Sequence, residues 1–224
     1  TAGSQSKGKM VVLTLDNSYS GQVIKISSSG SLENTEGNIS LVAVAVSQFE
    51  KEQSLRAHAT LSDHQGTISL DQKRDWIHQG YQFAANVNRK SGAMVLSVPT
   101  ALDEKEGFGD YQEISWTNGT PNQTVITRDG AQSRLGFNVT VDANQTTQTL
   151  ELYLGVWSAT HLIVITDEQG QTLQTLEFAA GSSSVQKLLT IEFSSLQEAS
   201  RMHISMIAKD KNGGNVSLVA LALK

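Results

Sequence analysis

An aromatic pair at alternating positions is the feature of this sequence best suited to ligand chemistry. Tyr153 and Trp157 flank Gly155 in the stretch Leu150–Trp157, which has aliphatic residues at the intervening positions. Alternate side chains of a β-strand point to the same face, so these three residues would share the face opposite the leucines. Aromatic rings can stack on a sugar ring or another apolar ligand, and the glycine would leave a shallow floor between them. The pattern predicts a ligand-binding platform; the alternative is a strand buried on both faces, with both aromatic residues in the core.

Four further residues are candidate ligand contacts. Trp76 and Trp116 each lie in a motif built around a turn, which favours a structural role for both side chains. His78 would share a strand face with Trp76, two positions away, and a hydrogen-bonded structural histidine is the more common case there. Arg89 could bind a carboxylate or could be a solvated loop charge. Together with Tyr153 and Trp157, these residues form the predicted site.

No motif in the sequence has the spacing that catalysis or tight metal binding requires. Cysteine is absent, the five histidines are scattered, and neither a G-x-S-x-G elbow nor an H-E-x-x-H pair occurs. Acids in predicted loops, Asp16, Asp110 and Asp142, could hold a structural calcium ion, because Ca²⁺ prefers carboxylate and carbonyl oxygens. We therefore predict a protein that is not an enzyme and that has no cofactor except, as an open alternative, structural calcium.

The elements that must position these residues are predicted to be strands. Alternation of apolar and polar residues, with turn residues about every ten positions, predicts an all-β fold, either a sandwich or a barrel. The clearest stretch, Arg134–Trp157, predicts a hairpin, and Gln48–Gln53 and Ser195–Ser200 are candidates for short helices. The other predicted strands are Met10–Leu15, Gln22–Ser27, Asn38–Val46, Ser54–Leu61, Gly66–Leu70, His161–Thr166, Gln171–Phe178, Gln186–Phe193, Met202–Ala208 and Asn215–Leu223.

Composition excludes two classes of partner. Of the 224 residues only 17% are charged, and the formal net charge is −5. Nucleic-acid binding is not expected, because it requires a basic surface that neutralises phosphates. The longest aliphatic run, Leu41–Val46, is too short to cross a bilayer, so no direct membrane insertion is expected.

A short repeat bears on the domain organisation. Asn38–Val46 reads NISLVAVAV and Asn215–Leu223 reads NVSLVALAL, with six of nine positions identical. Such repetition is typical of modular proteins. We predict an N-terminal β segment, Thr1–Ser47, and a β-sandwich module, Gln48–Lys224. The three strands of the segment are too few to bury a face alone, which favours their packing onto the sandwich; the alternative is the tail of an upstream module.

Three motifs resemble a module that recurs, often in tandem, in large exported bacterial proteins. They are Asp75–Gly80 (DWIHQG), then Asn88–Gly92 (NRKSG), then Ile114–Pro121 (ISWTNGTP), followed by the closing strand Gly214–Ala220 (GNVSLVA). The module's copies read DW-x-H-W-G, (D/N)-x-K-x-G and S-W-T-D-G-T-P. Two positions depart from it, since Gln79 replaces the second tryptophan and Asn118 the aspartate. The resemblance covers about Thr67 to Lys224 and implies a β-sandwich of jelly-roll type on a secreted or cell-surface chain. We therefore predict an antiparallel, jelly-roll-like β-sandwich with extra N-terminal strands, in an extracellular, cell-surface or periplasmic location.

These observations lead to a hypothesis of function. We predict a non-catalytic extracellular binding or adhesion module, with carbohydrate as the leading ligand class and neighbouring modules of a longer chain as further partners. The alternative is the periplasmic ligand-sensing ectodomain of a membrane-anchored signalling protein. A hydrolase ranks below both, because it would need clustered carboxylates or a nucleophile and base in a cleft.

Overall fold

The computed structural model describes residues 54–80, 87–92, 95–103, 112–209 and 214–224. The chain divides into two units, Thr1–Phe49 and Glu50–Lys224, and every described residue belongs to the second. The prediction that Thr1–Ser47 packs onto the sandwich therefore lies outside the described residues, as do the candidate helix Gln48–Gln53 and the N-terminal copy of the repeat. No described helix is long and apolar enough to cross a membrane.

All regular elements in the described part of the chain are β-strands, which confirms the all-β prediction. Strands β1 to β16 are, in chain order, Leu55–Asp63, Ile68–Ser69, Asp75–Gln79, Val87–Lys90, Thr100–Ala101, Ile114–Trp116, Gly119–Thr120, Val125–Thr127, Ala131–Ser133, Gly136–Ala143, Gln148–Trp157, Ala159–Asp167, Thr172–Ala180, Val185–Ser195, Ser200–Ala208 and Asn215–Leu223.

One candidate helix is a loop. Residues 196–199 join β14 to β15 without helical structure. The hydroxyl of Ser195 accepts a hydrogen bond from the backbone N–H of Gln197 at 3.0 Å, and the N–H of Leu196 donates to the carbonyl of Ser54 at 2.7 Å. These bonds satisfy the backbone groups that a helix would otherwise have used, so the predicted helix at Ser195–Ser200 is wrong.

The strands form three sheets. In the large sheet the order is β1–β14–β11–β16–β3–β4–β7, and β9 also pairs with β16. In the five-stranded sheet the order is β13–β12–β15–β10–β5, and in the small sheet it is β2–β6–β8. The described strand pairs are antiparallel except β2 with β6. The large sheet and the five-stranded sheet pack face to face, so the predicted antiparallel β-sandwich is confirmed.

The core between these two sheets is largely aliphatic. Leu152 and Leu154 of the large sheet lie in one buried cluster with Val139, Ile163 and Ile204 of the five-stranded sheet. Burial of each such side chain contributes about 1.5–3 kcal/mol, so this interface supplies most of the driving force for the fold. Consecutive long strands from β10 to β16 change sheet at every connection except β12 to β13. These crossing connections give the jelly-roll-like arrangement that the sequence predicts.

The predicted hairpin in Arg134–Trp157 is wrong. Its first strand, β10, pairs with β15 and β5 in the five-stranded sheet, whereas its second strand, β11, pairs with β14 and β16 in the large sheet. Residues 144–147 carry the chain from one sheet to the other. Alternation of apolar residues specifies which face of a strand is buried. Two strands with such faces can pair side by side in one sheet, or they can lie in two sheets with their apolar faces packed against each other.

Strand β16, the C-terminal copy of the repeat, contains a bulge. Tyr153 of β11 pairs with Ala220 and the next residue, Leu154, pairs with Leu218, so Val219 is an extra residue. The bulge changes which positions face the core. Leucine and valine residues point inward on both sides of it, and Ser217 faces outward in the segment before it.

The small sheet covers part of the outer face of the large sheet. Ile68, Ile114 and Trp116 of the small sheet form a second buried cluster with Trp76 and Tyr153 of the large sheet. Strands β3 and β11 are therefore buried on both faces where this cover lies. The described strands place no further sheet over the remainder of this outer face.

A glutamine side chain closes one side of the sandwich. Strand β1 ends the large sheet and β13 ends the five-stranded sheet. The Oε1 atom of Gln174 on β13 accepts a hydrogen bond from the N–H of Ala59 on β1 at 2.7 Å, and its Nε2 donates to the Ala59 carbonyl at 2.8 Å. The amide thus occupies the ladder position of a missing neighbouring strand, and it blocks pairing of this edge with another chain.

Replacing Gln174 by alanine is expected to lower the free energy of unfolding by about 2 kcal/mol, because two buried backbone groups lose their partners. Urea unfolding measures this change. Thr175→Ala is the control, since the neighbouring Thr175 is exposed, and a surface change of this kind stays within about 0.5 kcal/mol. Equal midpoints for the two variants would contradict the assigned role of Gln174.

Candidate functional site

A row of small and amide side chains crosses the open part of the large sheet. The register aligns Gln186 of β14 with Gly155 of β11, Gly155 with Ser217 of β16, and Ser217 with Gln132 of β9. Directly opposed residues of antiparallel strands have their side chains on the same face. The row therefore places two amides and the hydroxyl of the buried Ser217 around a glycine on the outer face.

These residues line an open cleft of about 320 Å³. Trp157, at the end of β11, and Asn215, its partner on β16, form the next row. The described lining residues are Gln132, Gly155, Val156, Trp157, Ser184, Gln186, Asn215 and Ser217. All of these side chains are uncharged, and most can form hydrogen bonds.

Trp157 is held in a defined orientation at the edge of the cleft. Its Nε1–H donates a hydrogen bond to the carbonyl of Ser182 at 2.9 Å, and 43% of the residue is exposed. The adjacent Ser158 has φ = +48° and its N–H donates to the carbonyl of Gly181 at 2.8 Å. The chain thus turns from the large sheet into the five-stranded sheet within one residue, and residues 181–184 are fixed beside the indole.

Gly214 makes this turn possible. A Cβ atom at position 214 would lie 2.1 Å from the carbonyl oxygen of Ser158, which no side chain can tolerate. The backbone before β16 therefore packs directly against the end of β11, and it brings Asn215 beside Trp157.

Gly155 forms the floor of the cleft. A Cβ there would lie 3.2 Å from Oε1 and 3.4 Å from Nε2 of Gln186, so the Gln186 amide lies beside the glycine. Gly155 and Trp157 both line the cleft. Larger side chains at position 155 would fill the space in which a ligand could contact this amide.

Tyr153, predicted to form the second half of the platform, does not line the cleft. Only 6% of Tyr153 is exposed, because the small sheet covers it. Its hydroxyl donates to Oε2 of the buried Glu151 at 2.8 Å, and its ring lies 5.4 Å from that of His64. Burial, together with this hydrogen bond and the carboxylate charge, raises the pKa of Tyr153 above its ordinary value. The alternative of a strand buried on both faces thus holds at Tyr153 but not at Trp157.

Glu151 is the centre of a buried ionic cluster. Its Oε2 accepts a hydrogen bond from Nζ of Lys73 at 2.5 Å, and its Oε1 accepts one from Nζ of Lys224 at 2.6 Å. Burial alone would raise the pKa of Glu151, but the bonds from Lys224, Lys73 and Tyr153 outweigh it and lower the pKa. The carboxylate is therefore ionised and fully committed to structural partners.

Trp76, Trp116 and His78 form a buried aromatic cluster that does not line the cleft. The rings of Trp76 and Trp116 are 5.2 Å apart, and that of His78 is 4.9 Å from Trp116. Trp116 Nε1 donates to the carbonyl of Asn122 at 2.9 Å, which folds the turn of the third motif onto the ring. Burial lowers the pKa of His78, and the Asp129 carbonyl, 3.2 Å from its Nε2, only partly offsets this effect. These contacts fit the structural roles that the sequence favours for all three residues.

Arg89 does not line the cleft. Strand β4 pairs with β3 and β7, neither of which lines the cleft. The guanidinium Nη2 is 3.4 Å from the carbonyl of Leu96, its acceptor. The six predicted contacts are thus divided, and Trp157 alone among them lines the cleft.

The sequence leaves a structural calcium ion as an open alternative. Among the described residues no group of three or more acidic, histidine or cysteine side chains could hold a metal ion. Asp142 is on β10 with its carboxylate 3.5 Å from the guanidinium of Arg201, and Asp16 and Asp110 lie outside the described residues.

Sequence reasoning missed the polar lining of the cleft. Gln132, Gln186 and Ser217 come from three strands that are distant in sequence, and Ser184 and Asn215 flank them. Each is a polar residue at an outward position of a strand or at a strand end, and many other polar residues of the chain lie at such positions. Only the register, which no local pattern supplies, brings them together.

Comparisons with known proteins add a distant structural likeness. No family model and no curated protein matches the sequence. Among solved structures, the chain is similar to the carbohydrate-binding module CBM36 in complex with calcium and xylotriose, with 12% identity and a TM-score of 0.31. The match covers 57% of this chain and 100% of the other. A likeness of this size is too weak to assign a fold or a ligand.

Proposed function

We propose that the described sandwich is a non-catalytic carbohydrate-binding module and that the cleft at Trp157 is its binding site. One observation carries the proposal: a half-exposed indole, fixed by Ser182, lies beside a row of amide and hydroxyl side chains across a glycine floor. Clefts that bind small ligands combine an apolar surface with a few polar groups at defined positions in this way.

The chemistry of a sugar matches both parts of the cleft. A pyranose ring has an apolar face of C–H groups, which can stack on an indole, and a rim of hydroxyls. Gln186, Gln132 and Asn215 carry amides that both donate and accept hydrogen bonds, as a hydroxyl does. The stacking therefore supplies affinity, and the amides supply orientation.

A binding role, rather than hydrolysis, is favoured by the lining itself. Glycoside hydrolysis uses a pair of carboxylic acids on either side of the bond that is cleaved. No described residue of the cleft carries a carboxylate, and the buried Glu151 is held by two lysines. An extracellular, cell-surface or periplasmic location and a role in adhesion belong to the same proposal, and the resemblance of Asp75–Gly80, Asn88–Gly92 and Ile114–Pro121 to a module of exported proteins supports them.

Filling the floor tests the proposal. Gly155→Leu is expected to abolish binding of the protein to any polysaccharide that retains the native chain, because the leucine would occupy the space beside the Gln186 amide. Affinity gel electrophoresis against a panel of soluble polysaccharides measures binding, and thermal unfolding shows whether each variant is folded. Gly155 has no positive φ, so the backbone accepts a leucine.

Ser62→Leu is the matched control for this variant. Ser62 is exposed on β1, in the same sheet, and does not line the cleft. It adds a leucine to the same sheet with no effect expected on binding. Native retention by the Gly155→Leu protein would exclude the cleft as the site, and failure of the native protein to bind any glycan would contradict the proposed function.

A further inference from the structure

The hydrogen-bonding groups of the cleft are neutral throughout its described lining. Two glutamines, one asparagine and two serines supply them, with no carboxylate, ammonium or guanidinium group. Recognition of an acidic sugar usually relies on arginine or lysine, because a charge-assisted bond is about twice as strong as a neutral one. A buried or half-buried anion without such a partner would lose its hydration with no compensation.

The charged side chains of β11 and β14 that lie nearest the cleft in sequence are already paired. Lys187, the residue after Gln186, has its Nζ 2.6 Å from Oδ1 of Asp63. On β11 the nearest charge along the same face is Glu151, which is buried in its cluster with Lys73 and Lys224. These charges are therefore not available to a ligand in the cleft.

The donor set also argues against metal-mediated binding. Calcium sites in proteins are built from several oxygen ligands, among which carboxylates supply most of the charge. A sugar held through Ca²⁺ needs such carboxylates beside the ligand, and no described lining residue provides one.

The register indicates how a ligand chain would lie. Gln186, Gly155, Ser217 and Gln132 follow one another across four neighbouring strands. Three inter-strand spacings amount to roughly 14 Å, which is comparable to the length of a trisaccharide. A chain running perpendicular to the strands would contact an amide at each end of this row, with the buried Ser217 between them.

We propose that the cleft selects a neutral polysaccharide chain, laid across the strands and bound by stacking and neutral hydrogen bonds, without an ion pair or a bridging metal ion. This inference rests on the proposed function and narrows its ligand class. It makes two statements: the ligand is uncharged, and no metal ion takes part in binding. Either statement can be wrong even if the protein binds carbohydrate.

Matched polymers test the charge. Hydroxyethylcellulose and carboxymethylcellulose share a backbone and differ in charge, as do fully methyl-esterified pectin and polygalacturonate; arabinoxylan and glucomannan extend the neutral set. Affinity gel electrophoresis in EDTA is expected to show retardation by at least one neutral polymer and at least tenfold weaker retardation by its anionic counterpart. The Trp157→Ala protein, run in the same gels, should lose the retardation.

The outcomes separate the two levels of the proposal. Trp157-dependent retention by an anionic polymer alone would overturn the neutral ligand class and leave carbohydrate binding intact. Retention by a neutral polymer in calcium chloride but not in EDTA would overturn the metal-free mode in the same way. If no polymer retards the native protein, with or without calcium, the proposed function itself fails and this inference fails with it.

Discussion

The Trp157→Ala variant is expected to bind its polysaccharide at least about 30-fold more weakly than the native protein, a loss of roughly 2 kcal/mol typical of a central aromatic contact. Among the described lining residues of the cleft, the indole is the largest apolar side chain, and Val156 is a smaller one. Its orientation is fixed in the free protein by the 2.9 Å bond to Ser182, so binding does not have to order it.

The Trp157→Ala protein should remain folded. Since 43% of Trp157 is exposed, its truncation removes part of a buried surface and one hydrogen bond. We expect a cost of about 1–2 kcal/mol, or a few degrees in the melting temperature of a domain of this size. Isothermal titration or affinity electrophoresis measures the binding, and thermal unfolding measures the stability.

Ile207→Ala controls for the loss of a half-exposed apolar side chain. Ile207 is also 43% exposed, but it lies on β15 in the other sheet of the sandwich. Its variant should unfold with a similar change and bind as the native protein does. If the alanine variants at 157 and 207 bind equally well, Trp157 does not contact the ligand.

The strands were largely predictable because each depends on local alternation. Asn215–Leu223 is predicted with its observed bounds, and β12 to β15 differ from their predictions by one or two residues at an end. Pairing was not predictable in the same way. The apolar faces of β10 and β11 suggested a hairpin, but they are buried against each other across the sandwich, and alternation alone does not distinguish these two arrangements.

The candidate site was predictable to the extent that it depends on one strand. Gly155 and Trp157 share a face because they are two residues apart, and that face does carry the cleft. Tyr153 shares it too, but whether the small sheet covers a given position depends on contacts between β11 and residues as distant as Ile68 and Ile114. The amides of Gln132 and Gln186 depend on register across four strands, for which the sequence offers no local signal.

The Glu151→Gln variant is expected to lose about 3 kcal/mol of unfolding free energy at pH 7, because removing one partner of a buried ionic cluster leaves the other charge uncompensated. Lys73 would remain in a largely buried position without the carboxylate that lies 2.5 Å from its Nζ. For a domain of this size the loss corresponds to a decrease in melting temperature of roughly 6–12 °C. Thermal and urea unfolding measure it.

A surface pair provides the control for Glu151→Gln. Lys209 and Glu177 are 2.7 Å apart, but their side chains are 54% and 48% exposed, against 4% for Glu151. Exposed ion pairs contribute about 1 kcal/mol or less, so Glu177→Gln should be nearly neutral. A loss as large in Glu177→Gln as in Glu151→Gln would show that burial does not decide the effect.

The pH dependence of the unfolding free energy distinguishes the contribution of the Glu151 charge from that of the packing of its side chain. The three hydrogen bonds to Glu151 lower its pKa in the folded protein. A lowered folded pKa means that the stabilisation is complete above the unfolded pKa of about 4.3 and is lost as the pH falls through the folded value. The difference in unfolding free energy between native protein and Glu151→Gln should therefore be constant from pH 7 to about pH 5 and shrink below about pH 4. A difference that persists unchanged at pH 3 would mean that the variant disturbs packing around Tyr153 rather than the ionic cluster.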